Sequence, residues 1–259
     1  MSNQKVIAVI PARMGSSRFP GKPLQKILGL PMVEHVRRRA LLCEAVNDVI
    51  VATCDREIAD TVSGFGGRAV MTKDTHERCT DRVEEAMQSA SADVVVILQG
   101  DEPLIVPDVI RMLIEPFRHE KGLLCTNLLS VIQEETDLQD QDIVKAALDQ
   151  RNFVMFYSRA GIPFHRVRKG PCPMYRQTGL SAFTKKFLRQ FSQLPPTPLE
   201  ITESVDFLRI LEHRFQVLGV VYDKPTVGVD RPDDVGIVEN ILQADPEQKR
   251  IYEKILGSA

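Results

Sequence analysis

Five consecutive apolar residues, Val94–Leu98, stand in the middle of an otherwise mixed segment and do not alternate with polar ones. A strand with no polar face must be covered on both sides, as in a parallel sheet flanked by helices. The neighbouring sequence supplies such a sheet. Strand-like runs at Lys5 to Pro11, Asp48 to Thr53, Arg68 to Met71 and Asp93 to Leu98 alternate with amphipathic stretches at Pro31 to Glu44, Arg56 to Ser63 and Thr80 to Ser91. In the first of these stretches Val33, Val36, Ala40 and Leu41 fall on one helical face. The βα repeat predicts an α/β fold with a parallel sheet. Ligands of such sheets bind beyond the carboxyl ends of the strands, which singles out Gln99-Gly100-Asp101-Glu102-Pro103 by position alone.

The second half reads differently. A strand is predicted over Leu123 to Ile132, then a hairpin from Ile143 to Asp149 and Phe153 to Tyr157, followed by the Pro- and Arg-rich stretch GIPFHRVRKGPCPMYR. Helices near Thr184 to Ser192 and Leu199 to His213, a strand at Phe215 to Tyr222 and a closing helix near Pro232 to Leu242 complete the pattern. With 259 residues, one domain with a second lobe is expected rather than two independent domains. Residues 1–135 and 215–245 would form the main core, and 142–214 the second lobe or a dimer arm. A net charge of −2 argues against nucleic acid as a partner, and no apolar run is long enough to span a bilayer. A cytoplasmic location is the default expectation, with Cys43, Cys54, Cys79, Cys125 and Cys172 as reduced thiols because no C-x-x-C pair occurs.

The turn after the first strand, Pro11 to Leu24, gathers Arg13, Arg18 and Lys22 with Gly15, Gly21, Ser16 and Ser17. Glycines let a backbone approach a ligand, hydroxyls donate, and three cations neutralise a polyphosphate. The loop matches neither the dinucleotide fingerprint nor the Walker loop. Asp101 supplies a hard oxygen ligand for Mg²⁺. Asp230, in the turn Val227 to Pro232, reads either as a second metal carboxylate or as a helix cap with Pro232 in the first turn. Thr80 is placed to cap the helix through Val83 and Met87, and Arg82 in its first turn opposes the helix dipole, which suggests a ligand role. His76 reads as a loop histidine.

Taken in order, PARMGSSRFPGKPL, VILQGDEPLI and GVDRPDDV resemble the CMP-KDO synthetases, the 3-deoxy-manno-octulosonate (KDO) cytidylyltransferases, over about Lys5 to Glu239. The resemblance implies a doubly wound, mostly parallel nucleotidyltransferase sheet, a homodimer, and Mg²⁺-dependent activation of an acidic sugar by CTP with release of pyrophosphate, with 1–135 and 215–245 as the CTP-binding nucleotide core and 142–214 as the acceptor-binding and dimerisation lobe. It implies that Arg13, Arg18 and Lys22 grip the triphosphate and act in catalysis with Asp101 and Asp230, the two metal ligands. Ser16, Ser17, Thr80, Arg82 and Gln99 join the nucleotide set. Arg78 and Cys79 stand where the family pattern S-G-T-[DE]-R has Ser and Gly. Nucleotidyl transfer needs charge neutralisation and in-line positioning more than a covalent catalyst, and these residues supply both. No dedicated general base is identifiable.

The acceptor half departs from the pattern. Arg176-Gln177-Thr178-Gly179-Leu180-Ser181 stands where the family reads R-H-[IL]-G-[IL]-Y, and Glu203 to Arg209 replaces E-x-L-E-Q-L-R with one carboxylate shortened at Asp206. Gln99, Arg159, Arg176 and Glu203 are expected acceptor contacts, each arginine being equally suited to a structural salt bridge. Gln177, Ser181 and Asp206 are the expected specificity positions. The acceptor is thus KDO, a modified KDO or another small anion such as a phosphonate. A catalytically retired nucleotide sensor is the alternative of a different class, although such a protein would lose the metal carboxylates that this chain keeps.

Overall fold

Valine, isoleucine and alanine fill the first strands so densely that no polar face is left. β1 (Val6–Ala12) is buried at all but one position, and β6 (Val94–Ile97) at every one. The computed structural model describes residues 4–15, 18–164, 166 and 172–257. The chain divides into two compact units, Met1–Met112 with Thr226–Ala259, and Leu113–Pro225. Residues 113–135 and 215–225, expected in the nucleotide core, pack with the second unit.

In the first unit β1 leads through a 3-10 turn (Lys22–Leu24) and the small antiparallel pair β2 (Lys26–Ile27) and β3 (Leu30–Pro31) to α1 (Met32–Leu41). Then follow β4 (Asp48–Thr53), α2 (Arg56–Gly64), β5 (Arg68–Met71), α3 (Cys79–Met87), β6 and α4 (Pro107–Ile114), which runs across the division. The strands are parallel in the order β6-β1-β4-β5, with Val9 opposite Ile97 and Ile50, and Val51 opposite Ala69.

The first helix is buried through nine successive residues, Met32 to Ala40, including Glu34, His35, Arg37, Arg38 and Arg39. Leu41, expected on its apolar face, is 52% exposed. Such burial is tolerable only because the charges are paired or hydrogen-bonded. Glu34 accepts two bonds from Arg37, both 2.7 Å, and one from Arg38 at 3.2 Å. Arg38 also donates to the Ile255 carbonyl (2.8 Å), and Arg39 to the Ile105 carbonyl and Gln248. His35 Nε2 meets the Ile27 carbonyl at 2.9 Å, and its ring stacks on Tyr252. Burial lowers the His35 pKa to about 4, with Arg39 and Arg38 pushing the same way against the carbonyls of Ile27 and Leu30. The helix thereby fixes the segment that follows the cationic loop.

The second unit contains α5 (Pro116–His119), β7 (Cys125–Val131), α6 (Glu135–Gln139), β8 (Lys145–Leu148), β9 (Val154–Ser158), β10 (Tyr175–Thr184), α7 (Lys185–Gln193), α8 (Pro198–Glu203), α9 (Phe207–Glu212) and β11 (Leu218–Tyr222). β7 pairs in parallel with β11 and antiparallel with β10, and β8 joins β10 to β9. The expected hairpin is therefore present, whereas β10 falls where a Pro- and Arg-rich lobe was expected. The single helix expected over Leu199 to His213 is two, broken at Ser204, which is left-handed at φ 53°. The chain returns to the first unit with α10 (Asp234–Ala244) and α11 (Pro246–Gly257), the latter not foreseen from the sequence. Among the described residues no helix is long and apolar enough to cross a membrane, and all five cysteines are free thiols.

Candidate active site

The loop after β1 closes on itself before it reaches the 3-10 turn. Gly21 N donates to the Met14 carbonyl at 3.0 Å, with Gly21 at φ 75°, a region that costs a side-chain-bearing residue energy. At the other end Met14 N donates to Asp55 at 2.8 Å. Asp55 precedes α2 but caps it with no side-chain bond, its carboxylate serving the loop instead. Lys22, delivered by this turn, is only 13% exposed at its side chain. Its ammonium donates to Asp101 Oδ2 at 2.6 Å and to the Val229 carbonyl at 2.9 Å, and lies 3.9 Å from Asp230. Arg18 reaches the same Asp230 carboxylate at 3.2 Å.

Asp101 and Asp230, which lie 129 positions apart in sequence, meet because the backbones of their segments are bonded. Val229 N donates to the Asp101 carbonyl at 2.9 Å, and Gly228 faces that carbonyl so closely that a Cβ there would lie 3.4 Å away. The cap reading for Asp230 does not hold: α10 begins at Asp234, whose own carboxylate accepts from the backbone N–H groups of Asp230 and Arg231 at 2.7 and 2.8 Å. The Asp234 carboxylate thus holds the backbone of the turn before the helix, while the Asp230 carboxylate faces the cations.

Around these groups lies a cavity of about 340 Å³, large enough for a small-molecule ligand, at the carboxyl ends of β1 and β6. Arg13, Arg18, Lys22, Arg78 and Arg82 line it against Asp101 and Glu77, so its potential is positive. Gln99 also lines it and donates toward Cys79 Sγ at 3.7 Å. Arg82 is buried and donates to Thr72 (2.6 Å) and the Lys73 carbonyl (3.2 Å), which fixes it at the wall. Thr80 is buried inside α3, which Arg78 rather than Thr80 precedes as cap. Ser16 and Ser17 lie outside the described residues. His76, read as a plain loop histidine, lines the cavity and is hydrogen-bonded to Glu85. Partial burial raises the Glu85 pKa, but the bonds from His76 and the Lys73 N–H outweigh it and leave it below the ordinary value. No spacing pattern in the sequence marks this pair.

Apart from Gln99, the residues expected at the acceptor belong to the second unit, and several are committed to one another. Glu203 accepts from Ser158 Oγ and from Arg159 N, both at 2.8 Å. Arg159 Nε donates to the Glu203 carbonyl and Nη1 to the Gln141 carbonyl, each at 2.7 Å. Beneath them the fully buried Lys145 donates to the carbonyls of Asp140, Ile143 and Arg159. Arg176 lies 3.8 Å from Asp137. Gln177 and Ser181 flank a bulge in β10, where the ladder with β7 shifts between them. Asn127 holds that bulge by donating to the carbonyls of Thr178 (3.1 Å) and Leu180 (2.9 Å) while Tyr157 donates to its Oδ1 at 2.9 Å. Ser181 itself is 2% exposed, and Asp206 occupies the cap position of α9.

The cationic loop, the paired carboxylates and the fold can now be set beside known proteins. The cytidylyltransferase family model matches residues 7–225. The 3-deoxy-manno-octulosonate cytidylyltransferase of Geobacter metallireducens is 38% identical over 248 residues, covering 92% of this chain and 98% of that protein. The chain belongs to the 3-deoxy-manno-octulosonate cytidylyltransferase family. An 8-amino-3,8-dideoxy-manno-octulosonate cytidylyltransferase of Shewanella piezotolerans is 43% identical over 246 residues, covering 93% of this cytidylyltransferase and 99% of its own length. A CMP:2-keto-3-deoxy-manno-octonic acid synthetase solved in complex with CTP superposes with a TM-score of 0.88 at 35% identity, over 92% of this chain and 98% of the other. A 4-diphosphocytidyl-2C-methyl-D-erythritol synthase of Anaerococcus prevotii shares the fold alone, at 15% identity and a TM-score of 0.61. The doubly wound nucleotidyltransferase architecture is thus established for this cytidylyltransferase.

Two carboxylates already converging on one ammonium form a place built for positive charge, and their hard oxygens suit Mg²⁺. No group of three or more His, Cys, Asp or Glu side chains that could hold a metal occurs among the described residues. A metal here would therefore draw its remaining ligands from water and the substrate's phosphates, the usual arrangement for Mg²⁺ at nucleotides.

Proposed function

We propose that this enzyme transfers the cytidylyl group of CTP to a hydroxyl of KDO or a KDO-like sugar acid and releases pyrophosphate. The observation that carries the reading is the meeting of Lys22 with Asp101 and Asp230, where Lys22 and Asp101 line a cavity rich in cations. The acceptor hydroxyl loses its proton to solvent water as its oxygen forms a bond to the α-phosphorus and the α–β phosphoanhydride bond breaks, and the electron pair of that bond leaves with pyrophosphate. Arg13, Arg18 and Lys22 neutralise the triphosphate and the departing charge, a role in which fixed donors are worth several kcal/mol, about 3 per group. Asp101 and Asp230 would hold Mg²⁺, which supplies further neutralisation of phosphate oxygens when bound. Gln99 and Cys79, in contact on the cavity wall, lie where a base would be selected.

For the acceptor, one observation favours an amino sugar over KDO itself. The named 8-amino-3,8-dideoxy-manno-octulosonate enzymes are 42–43% identical to this chain, against 37–39% for the named KDO enzymes. The enzyme acts as a homodimer in this reading, supported by Met155 and Ile201, which leave 65% and 67% of their surface exposed on the second unit.

Pyrophosphate release from CTP, measured with KDO, its 8-amino analogue and a small phosphonate, tests the reading, with Asp101→Asn as control. Turnover with either sugar acid that disappears in the variant is expected, and the better sugar names the acceptor. Silence with every acceptor, while CTP still binds, would sink the proposal in favour of a nucleotide sensor.

A further inference from the structure

A second cavity, of about 380 Å³, lies wholly in the second unit and shares no residue with the nucleotide cavity. Three separate turns build it: 120–124 between α5 and β7, the β8–β9 hairpin turn, and the turn between α9 and β11. Each turn contributes one cation, respectively Lys121, Arg151 and Arg214. The hairpin turn is bonded to the segment after α9, and the turn after α9 is closed by a bond of its own. Gly219 N donates to the Asn152 carbonyl at 2.8 Å, Val154 N to the Val217 carbonyl at 2.9 Å, and Phe215 N to the Ile210 carbonyl at 3.0 Å.

None of the three cationic side chains forms an ion pair or hydrogen bond with a described residue. Arg151 is held over the Phe153 ring at 5.3 Å, a contact that orients a guanidinium without spending its donors. Arg214 adopts φ 64°, in the left-handed region where Gly or Asn is the easier choice. One lining carboxylate, Glu120, leaves the cavity with a net positive lining. Elsewhere in the same unit the opposite rule holds, for Arg209 is closed off by Glu200 in a two-pronged pair.

We propose that this cavity is a binding site for a small phosphate-bearing anion. Lys121, Arg151 and Arg214 hold the phosphate oxygens, and Phe153 and Phe215 face the less polar part of the ligand. Guanidinium groups match phosphate through paired N–H bonds, and three unspent cations suit a group carrying two or more negative charges.

The full-length chain carrying Arg13→Gln and Lys22→Gln, which disables the nucleotide cavity, is titrated calorimetrically with inorganic pyrophosphate at low salt. One equivalent is expected to bind, and adding Arg151→Gln and Arg214→Asn is expected to weaken it at least tenfold. Failure of the first protein to bind pyrophosphate would overturn the proposal, as would binding that survives the second pair of substitutions. Amide hydrogen exchange of the unaltered chain gives a test that needs no variant. Pyrophosphate should protect 120–124 and 214–216, and a lack of protection in both segments overturns the site.

Discussion

Replacing His35 by Gln should flatten the acid side of the stability profile. In the folded protein the ring is fully buried beside Arg38 and Arg39, with its pKa lowered from 6.5 to about 4. The unfolded chain takes up the proton near pH 6.5, so between about pH 6.5 and 4 the unfolded state binds more protons than the native one. Stability is therefore fully present above that window and is lost as the pH falls through it. A displacement of this size is worth about 3 kcal/mol in full, of which about 2 kcal/mol is lost by about pH 5. Urea unfolding followed by far-UV circular dichroism suits a chain without Trp. The gap in unfolding free energy between the parent and His35→Gln should narrow by about 2 kcal/mol on going from about pH 7.5 to about pH 5. Other groups titrate equally in both proteins and cancel. A gap independent of pH would refute the reasoning, because it would mean that the buried ring keeps an ordinary affinity for its proton.

Lys22→Met should lower kcat/KM for CTP about 100-fold or more, since it removes a fixed cation from the departing pyrophosphate. Initial rates of pyrophosphate release check this, and a change under threefold would count against the role. Glu200→Gln strips one partner from a buried pair whose bonds are 2.7 and 2.5 Å, and should cost about 3–5 kcal/mol, read as a fall in the urea midpoint. Tyr157→Phe leaves Asn127 Oδ1 without its donor and should cost about 1–2 kcal/mol. If the bulge it supports faces the acceptor, steady-state kinetics will show a raised KM for the sugar acid with the KM for CTP unchanged.

The parallel strands β1, β4 and β6 were legible almost to the residue because strands covered on both faces must be continuously apolar, whereas the two-residue strands β2 and β3 are too short to leave a pattern. β10 was not, since Arg176, Gln177, Thr178 and Gly179 carry no strand pattern and the segment is held by Asn127 and Thr178 side-chain bonds that cannot be read from spacing. The break between α8 and α9 falls on Ser204 rather than on Gly or Pro, so periodicity ran through it. α11 buries only Ile251 and Ile255, too few to announce a helix. At the site, Lys22 and Asp101 followed from position after a buried strand, but Asp230 by itself pointed more readily to a cap, and only the fold shows that α10 begins four residues later with Asp233 at the cap position. Arg159 was named as an acceptor contact for its charge and Glu203 for its place in the family pattern, whereas much of their hydrogen-bonding capacity is spent within the chain.

The division of the chain bears on how such a protein changes over generations. The described residues that would hold the nucleotide fold in one compact unit, and, apart from Gln99, those expected at the acceptor fold in the other. A substitution at Gln177 or Asp206 can therefore be screened by selection for a new acceptor with little penalty to the packing around Lys22 and Asp101. Arg78 and Cys79 lie in the other unit and form a separate target for drift in nucleotide preference. Relatives of similar identity carrying two different acceptor names are the outcome such independence would leave behind.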